Sequence, residues 1–147
     1  MIHKDAPDHH DAELIIKLYD LRREGSLREA RDILTRDFWP KSAAEAVAVT
    51  KLDHPLNRVY RQVSTYWEMV YRMARYGIVH GDFLVENNAE GLLLYARVEP
   101  YLGEIRAATS ARSFQSAEWV AKDVPMGRVI AEHMRERVRK TLAAKAG

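Results

Sequence analysis

The 147-residue sequence contains no cysteine. That excludes disulfide scaffolds, thiolate zinc sites, iron–sulfur clusters and cysteine nucleophiles. It also has no long apolar run. The longest strongly apolar stretch, Leu92 to Ala96, is far too short to span a bilayer. Met1 to Asp11 hold no apolar segment of the kind a secretory signal needs. An excess of one charge is nearly missing too: 23 Lys and Arg face 21 Asp and Glu, a net +2. There is no glycine-rich phosphate loop, no Ser/His/Asp triad and no carboxylate pair with catalytic spacing. What remains is ordinary globular material, 47% hydrophobic and 30% charged. The expectation is a cytoplasmic, single-domain protein with no membrane partner, long enough to bury one core.

Helix signals dominate. Asp11 is placed to cap a helix carrying Leu14, Ile15, Leu18 and Leu21, which Gly25 would end. Ser26 with Glu29, and Ser42 with Glu45, match the S-x-x-E capping box and predict two further helix starts. Pro55 marks the next start, and Gly77 closes a helix over about 56–76. On a 100° wheel, Val59, Val63, Tyr66, Trp67, Val70, Met73 and Ala74 cluster on one side. Met69 and Tyr71 widen that arc, and Arg58, Arg61, Thr65, Glu68, Arg72 and Arg75 fill the rest. A helix over about 89–107 carries Pro100, which cannot donate to Ala96 and predicts a kink or break. Helices over about 115–122 and 126–144 follow. The fold class expected is all-α, one helical bundle of about six or seven helices over 11–147, after a flexible segment 1–10.

The chemical candidates are few. His80, Asp82 and Asn87 match the H-x-D-x-x-x-x-N spacing of phosphotransferase catalytic loops. The chain lacks the partner motifs and the length for two lobes, so Asp82 reads better as a helix N-cap. His9 and His10 with Asp8 and Asp11 are a weak metal set, outweighed by a structural reading. No metal or cofactor is expected. Tyr66, Trp67, Glu68, Tyr95, Glu99 and Arg106 are the candidate ligand residues. Their aromatic rings suit core packing equally well, and Glu99 with Arg106 would share one helical face. Residues 126–147 carry a net +4, leaving −2 for the rest. Arg128, Arg135 and Arg139 are therefore the nucleic-acid candidates. The plainer reading is a solvated helix.

Several segments carry a resemblance. They are Tyr66-Trp67-Glu68-Met69-Val70, Gly77-Ile78, Glu90, and Tyr95-Ala96-Arg97-Val98-Glu99-Pro100-Tyr101-Leu102 with Arg106. With Leu18 to Arg22 and Arg28 to Arg31, they make residues 12–108 similar to an uncharacterised family of small bacterial all-helical proteins. The resemblance implies a helical domain from a bacterium and no particular activity. The leading expectation is a non-enzymatic binding or protein-interaction module, with a homodimer as a hypothesis. Two alternatives stay open: a nucleic-acid-associated protein using the basic C-terminal helix, and a ligand-binding protein or enzyme with a pocket between the two central helices.

Overall fold

The computed structural model describes residues 4–147, and all regular structure in them is helical. The first three residues of the expected N-terminal segment, His3 among them, lie outside the described range. Helix α1 spans His9–Arg22 and α2 spans Gly25–Asp37. The α1 cap is Asp8, not Asp11. Asp8 Oδ1 accepts from Asp11 N at 3.0 Å, and Asp11 Oδ2 accepts from Asp8 N at 3.2 Å. This reciprocal capping box starts the helix earlier than the apolar spacing alone suggests. Similarly, Glu24 caps α2 in place of Ser26. Its two carboxylate oxygens take Ser26 N and Leu27 N at 3.0 and 3.1 Å. Gly25 therefore opens the second helix and does not end the first.

Helix α3 is a short Ala43–Ala48 turn capped by Ser42, and α4 runs Asn57–Arg75. Gly77, at φ 72°, closes α4. Its N–H reaches Ala74 O, and Ile78 N reaches Met73 O at 2.8 Å, a Schellman closure. The inward side of α4 buries Val59, Tyr60, Val63, Tyr66, Trp67, Val70, Tyr71 and Ala74. That matches the expected arc, except that Met73 is only half-buried and Met69 stays exposed.

Helix α5 is Gly81–Asn87 and α6 is Glu90–Val98. A 3-10 turn at Glu99–Tyr101 separates α6 from α7, Leu102–Ala108. Pro100 thus breaks the expected 89–107 helix, which raises the helix count above the six or seven read from periodicity. Helices α8, Gln115–Asp123, and α9, Pro125–Ala146, complete the chain. Every residue of α6 from Gly91 to Val98 is buried. Gly91 sits against α4 so closely that a Cβ there would lie 2.6 Å from the Tyr71 hydroxyl. Around this α4–α6 pair, α2 and α8 pack on α4, and α9 packs on α6, α8 and α5. The result is a single-domain helical bundle. Among the described residues, no helix is long and apolar enough to cross a membrane.

Candidate binding face of helix α4

The six candidate ligand residues do not converge on one cavity. Tyr66 is buried and donates its hydroxyl to Leu18 O at 2.9 Å, tying α4 to α1. Trp67 stacks on Tyr71 at 5.7 Å and meets Tyr66 edge-on at 5.0 Å. Tyr95 is buried beside Glu99, and burial pushes its phenol above the usual range. Glu99 takes a two-pronged bond from Arg135, at 2.7 and 2.9 Å. That guanidinium holds the Glu99 carboxyl below its ordinary range. Arg106 instead donates to Ser113 O at 3.0 Å and to Glu118 at 3.3 Å. The two residues expected to share a face therefore serve different helices.

Glu68 has the most telling position. Its carboxylate accepts from Ser116 N at 2.9 Å and Ala117 N at 2.8 Å, the first-turn amides of α8. Helix α8 has no side-chain cap of its own, so Glu68 supplies one from another helix and complements the positive helix end. Burial pushes the carboxyl upward, against the lowering effect of those amides. Glu68 and Arg72, four residues apart, make no direct salt bridge, although the guanidinium also favours the charged carboxylate. The same device recurs elsewhere. Asp82 Oδ1 accepts from Met126 N at 2.8 Å and caps α9, while His80 Nδ1 caps α5 by accepting from Phe83 N at 3.1 Å. This corrects the N-cap assigned to Asp82. Asn87 turns back onto Phe83 O, so the phosphotransferase-like spacing is used for helix capping. Asp11 Oδ2 also takes His80 N. At the opposite helix end, the buried Arg97 guanidinium donates to Leu34 O and Phe38 O at 2.9 and 2.7 Å. It caps the α2 C-terminus and rests over the Trp39 ring at 4.8 Å. Burial lowers its pKa to about 10, so it remains charged at neutral pH.

Of the metal candidates near the N-terminus, Asp8, Asp11 and His9 are engaged likewise. Lys4 bridges Asp8 and Asp11 at 2.9 Å each, and His9 faces Glu13 at 3.3 Å. Among the described residues, no group of three or more metal-ligating side chains comes together.

The two arginine-rich helices differ in how their cations are engaged. On α9, Arg135 is held by Glu99 and Glu132, and Arg139 by Glu136 and Glu132. Arg128 donates to Lys122 O at 3.1 Å. On α4, a 100° wheel puts Arg58, Arg61, Thr65, Met69, Arg72 and Tyr76 on one exposed row, with the half-buried Glu68 at its edge attracting Arg72. Among the described residues, neither Arg58, Arg61 nor Arg72 enters a salt bridge. Arg61 has only a neutral partner, Asn57 Oδ1 at 2.9 Å. Beside this row, α1, α2 and α4 border a shallow, mainly apolar groove of about 540 Å³, with Leu21, Leu27 and Met69 in its walls and the α2-capping Glu24 at its edge. On the other side of Thr65, a polar pocket of about 270 Å³ lies between α4 and the turn before α8. Arg112 from that turn faces the pocket together with Arg72. The sequence placed Arg58, Arg61 and Arg72 on a polar face. It gave no sign of Arg112, whose approach to α4 depends on how α7 and α8 pack.

The chain matches the model of the family described as Domain of unknown function (DUF4760) over residues 7–124, and it belongs to that family. No curated protein and no solved structure matches it.

Proposed function

We propose that this family member is a non-enzymatic interaction module that docks an acidic, amphipathic segment of a partner protein along the outer row of α4. The observation that carries the reading is a run of arginines outside any salt bridge among the described residues, bordering a mainly apolar groove. The Leu21, Leu27 and Met69 walls offer a seat for one or two large apolar side chains, the anchor used in helix-in-groove recognition. Arg58, Arg61 and Arg72 would then meet carboxylates at the rim. Rim pairs add modest affinity, but they accelerate encounter and reject cationic competitors. A protein partner is favoured over nucleic acid. A phosphate backbone has no use for the apolar groove, and two of the three α9 arginines read as nucleic-acid candidates, Arg135 and Arg139, are already paired with carboxylates.

A photo-crosslinking residue at position 65, in the exposed row, tests this in cells. The expected product is an adduct with another protein, formed in lower yield as salt rises and lost in the R58E/R61E/R72E variant. An adduct with nucleic acid, an adduct with a second copy of this chain, or a protein adduct indifferent to the triple reversal would overturn the reading.

A further inference from the structure

The pocket behind Thr65 has features the docking row does not need. Arg72 of α4 and Arg112 of the turn before α8 both line it. Neither is in a salt bridge among the described residues. Glu68 also borders the pocket, but both of its oxygens are bound to the α8 amides. The hydroxyls around the pocket are ordered. Thr65 donates to Arg61 O at 2.6 Å and Thr109 to Ile105 O at 2.7 Å. Ser113 lies 2.8 Å from Thr109 and must then donate to it. The apolar wall is Tyr60 with Phe114, ring centres 6.3 Å apart. Phe114 is held at φ 59°, a left-handed conformation that an aromatic residue rarely adopts. Among the described residues its N–H meets no acceptor. Strained backbone and unused donors collect at binding sites more than at passive turns.

We propose that this pocket binds a phosphate monoester group between Arg72 and Arg112. A carboxylate is planar and is satisfied by one guanidinium fork. Two guanidinium groups lining one pocket suit a tetrahedral dianion with oxygens in three directions. A volume of about 270 Å³ admits a phosphoryl group and a small substituent against Tyr60 and Phe114. It is too small for a dinucleotide. The phosphoryl group could belong to a free metabolite or to a side chain of the docked partner, and the test separates these sources.

The probes are phenyl phosphate and an acidic heptapeptide with one phosphoserine, each titrated into the full chain and followed by amide NMR at constant ionic strength. Saturable shifts at Thr65, Ser113 and Phe114 are expected, about tenfold weaker in Arg112→Gln and unchanged in Arg137→Gln. Tighter binding of the phosphopeptide would assign the group to a partner protein, and equal or tighter binding of phenyl phosphate would assign it to a small molecule. Either result supports the pocket. Non-saturating shifts, shifts centred on α9, equal binding of acetate, or an indifferent Arg112→Gln would overturn it. Arg112 lies outside the docking row. Loss of phosphate binding with position-65 crosslinking intact therefore removes this inference and leaves the docking reading standing.

Discussion

Helices α4 and α9 both carry several arginines, yet they use them in opposite ways. On α9, Arg135 locks onto Glu99 of the 3-10 turn, and Arg139 is flanked by Glu132 and Glu136. On α4, the polar group that faces inward, Glu68, caps α8, while the arginines that face outward enter no salt bridge among the described residues, and only Arg72 has an acidic neighbour, Glu68 itself. The difference teaches that the count of cations on a helix says little about its availability to a partner. What matters is whether the same fold supplies carboxylates to meet them. Of the candidates suggested by the +4 of residues 126–147, Arg135 and Arg139 meet carboxylates in this way.

The inward side of α4 should show the largest effect when disturbed. Glu68→Ala leaves two first-turn amides of α8 without their cap in a half-buried site. A loss of about 3 kcal/mol is expected, since charge-assisted bonds to buried groups are costly to remove from one side. Urea unfolding measures it. A loss below about 1 kcal/mol, the scale of an ordinary exposed cap, would mean that α8 does not depend on α4 for its start.

The next effect lies on α9. Glu99→Gln should cost about 1 kcal/mol at neutral pH, the upper range for a partly exposed ion pair with good geometry. Its pH dependence has a defined sign. The folded-state pKa of Glu99 is lowered by Arg135 from the ordinary 4.5, so its contribution is present above that value and is lost as pH falls below it. Wild type and Glu99→Gln should therefore converge in acid. Glu68 behaves in the opposite way. Its carboxyl is raised by burial, so its titration favours the folded state below 4.5 and that advantage is lost as pH rises through the raised value. A gap between wild type and Glu99→Gln that widens in acid would contradict the assignment.

The smallest effect on stability belongs to the outer row. Arg58→Gln, Arg61→Gln and Arg72→Gln should each change stability by no more than about 0.5 kcal/mol, as surface substitutions away from networks do. Thermal melts check this. If any one of them costs as much as Glu99→Gln, the row has a structural task and the comparison between the two helices collapses.

Much of the fold was legible in the sequence. The helical period of residues 57–75 and the break at Pro100 follow from local rules that act within a few residues. The caps were less legible. Asp8, Glu24 and His80 cap their own helices where Asp11, Ser26 and Asp82 were expected, because several oxygen-bearing side chains cluster at each start and spacing alone does not choose among them. The caps exchanged between helices were invisible. Glu68 lies 48 residues from Ser116, Asp82 lies 44 from Met126, and Arg97 lies 63 from Leu34. Only packing brings those groups together. The candidate site divides the same way. The α4 arginines share a row by helical period, whereas Arg112 joins Arg72 through tertiary contact alone.

The most direct test sets the two helices against each other. Crosslinking from position 65 is compared in wild type, in R58E/R61E/R72E and in R128E/R135E/R139E. The prediction is that reversal on α4 abolishes the protein adduct without lowering the melting temperature appreciably. Reversal on α9 should lower the melting temperature and leave the adduct intact below it. An adduct that survives the α4 reversal and disappears with the folded α9 variant would contradict the account.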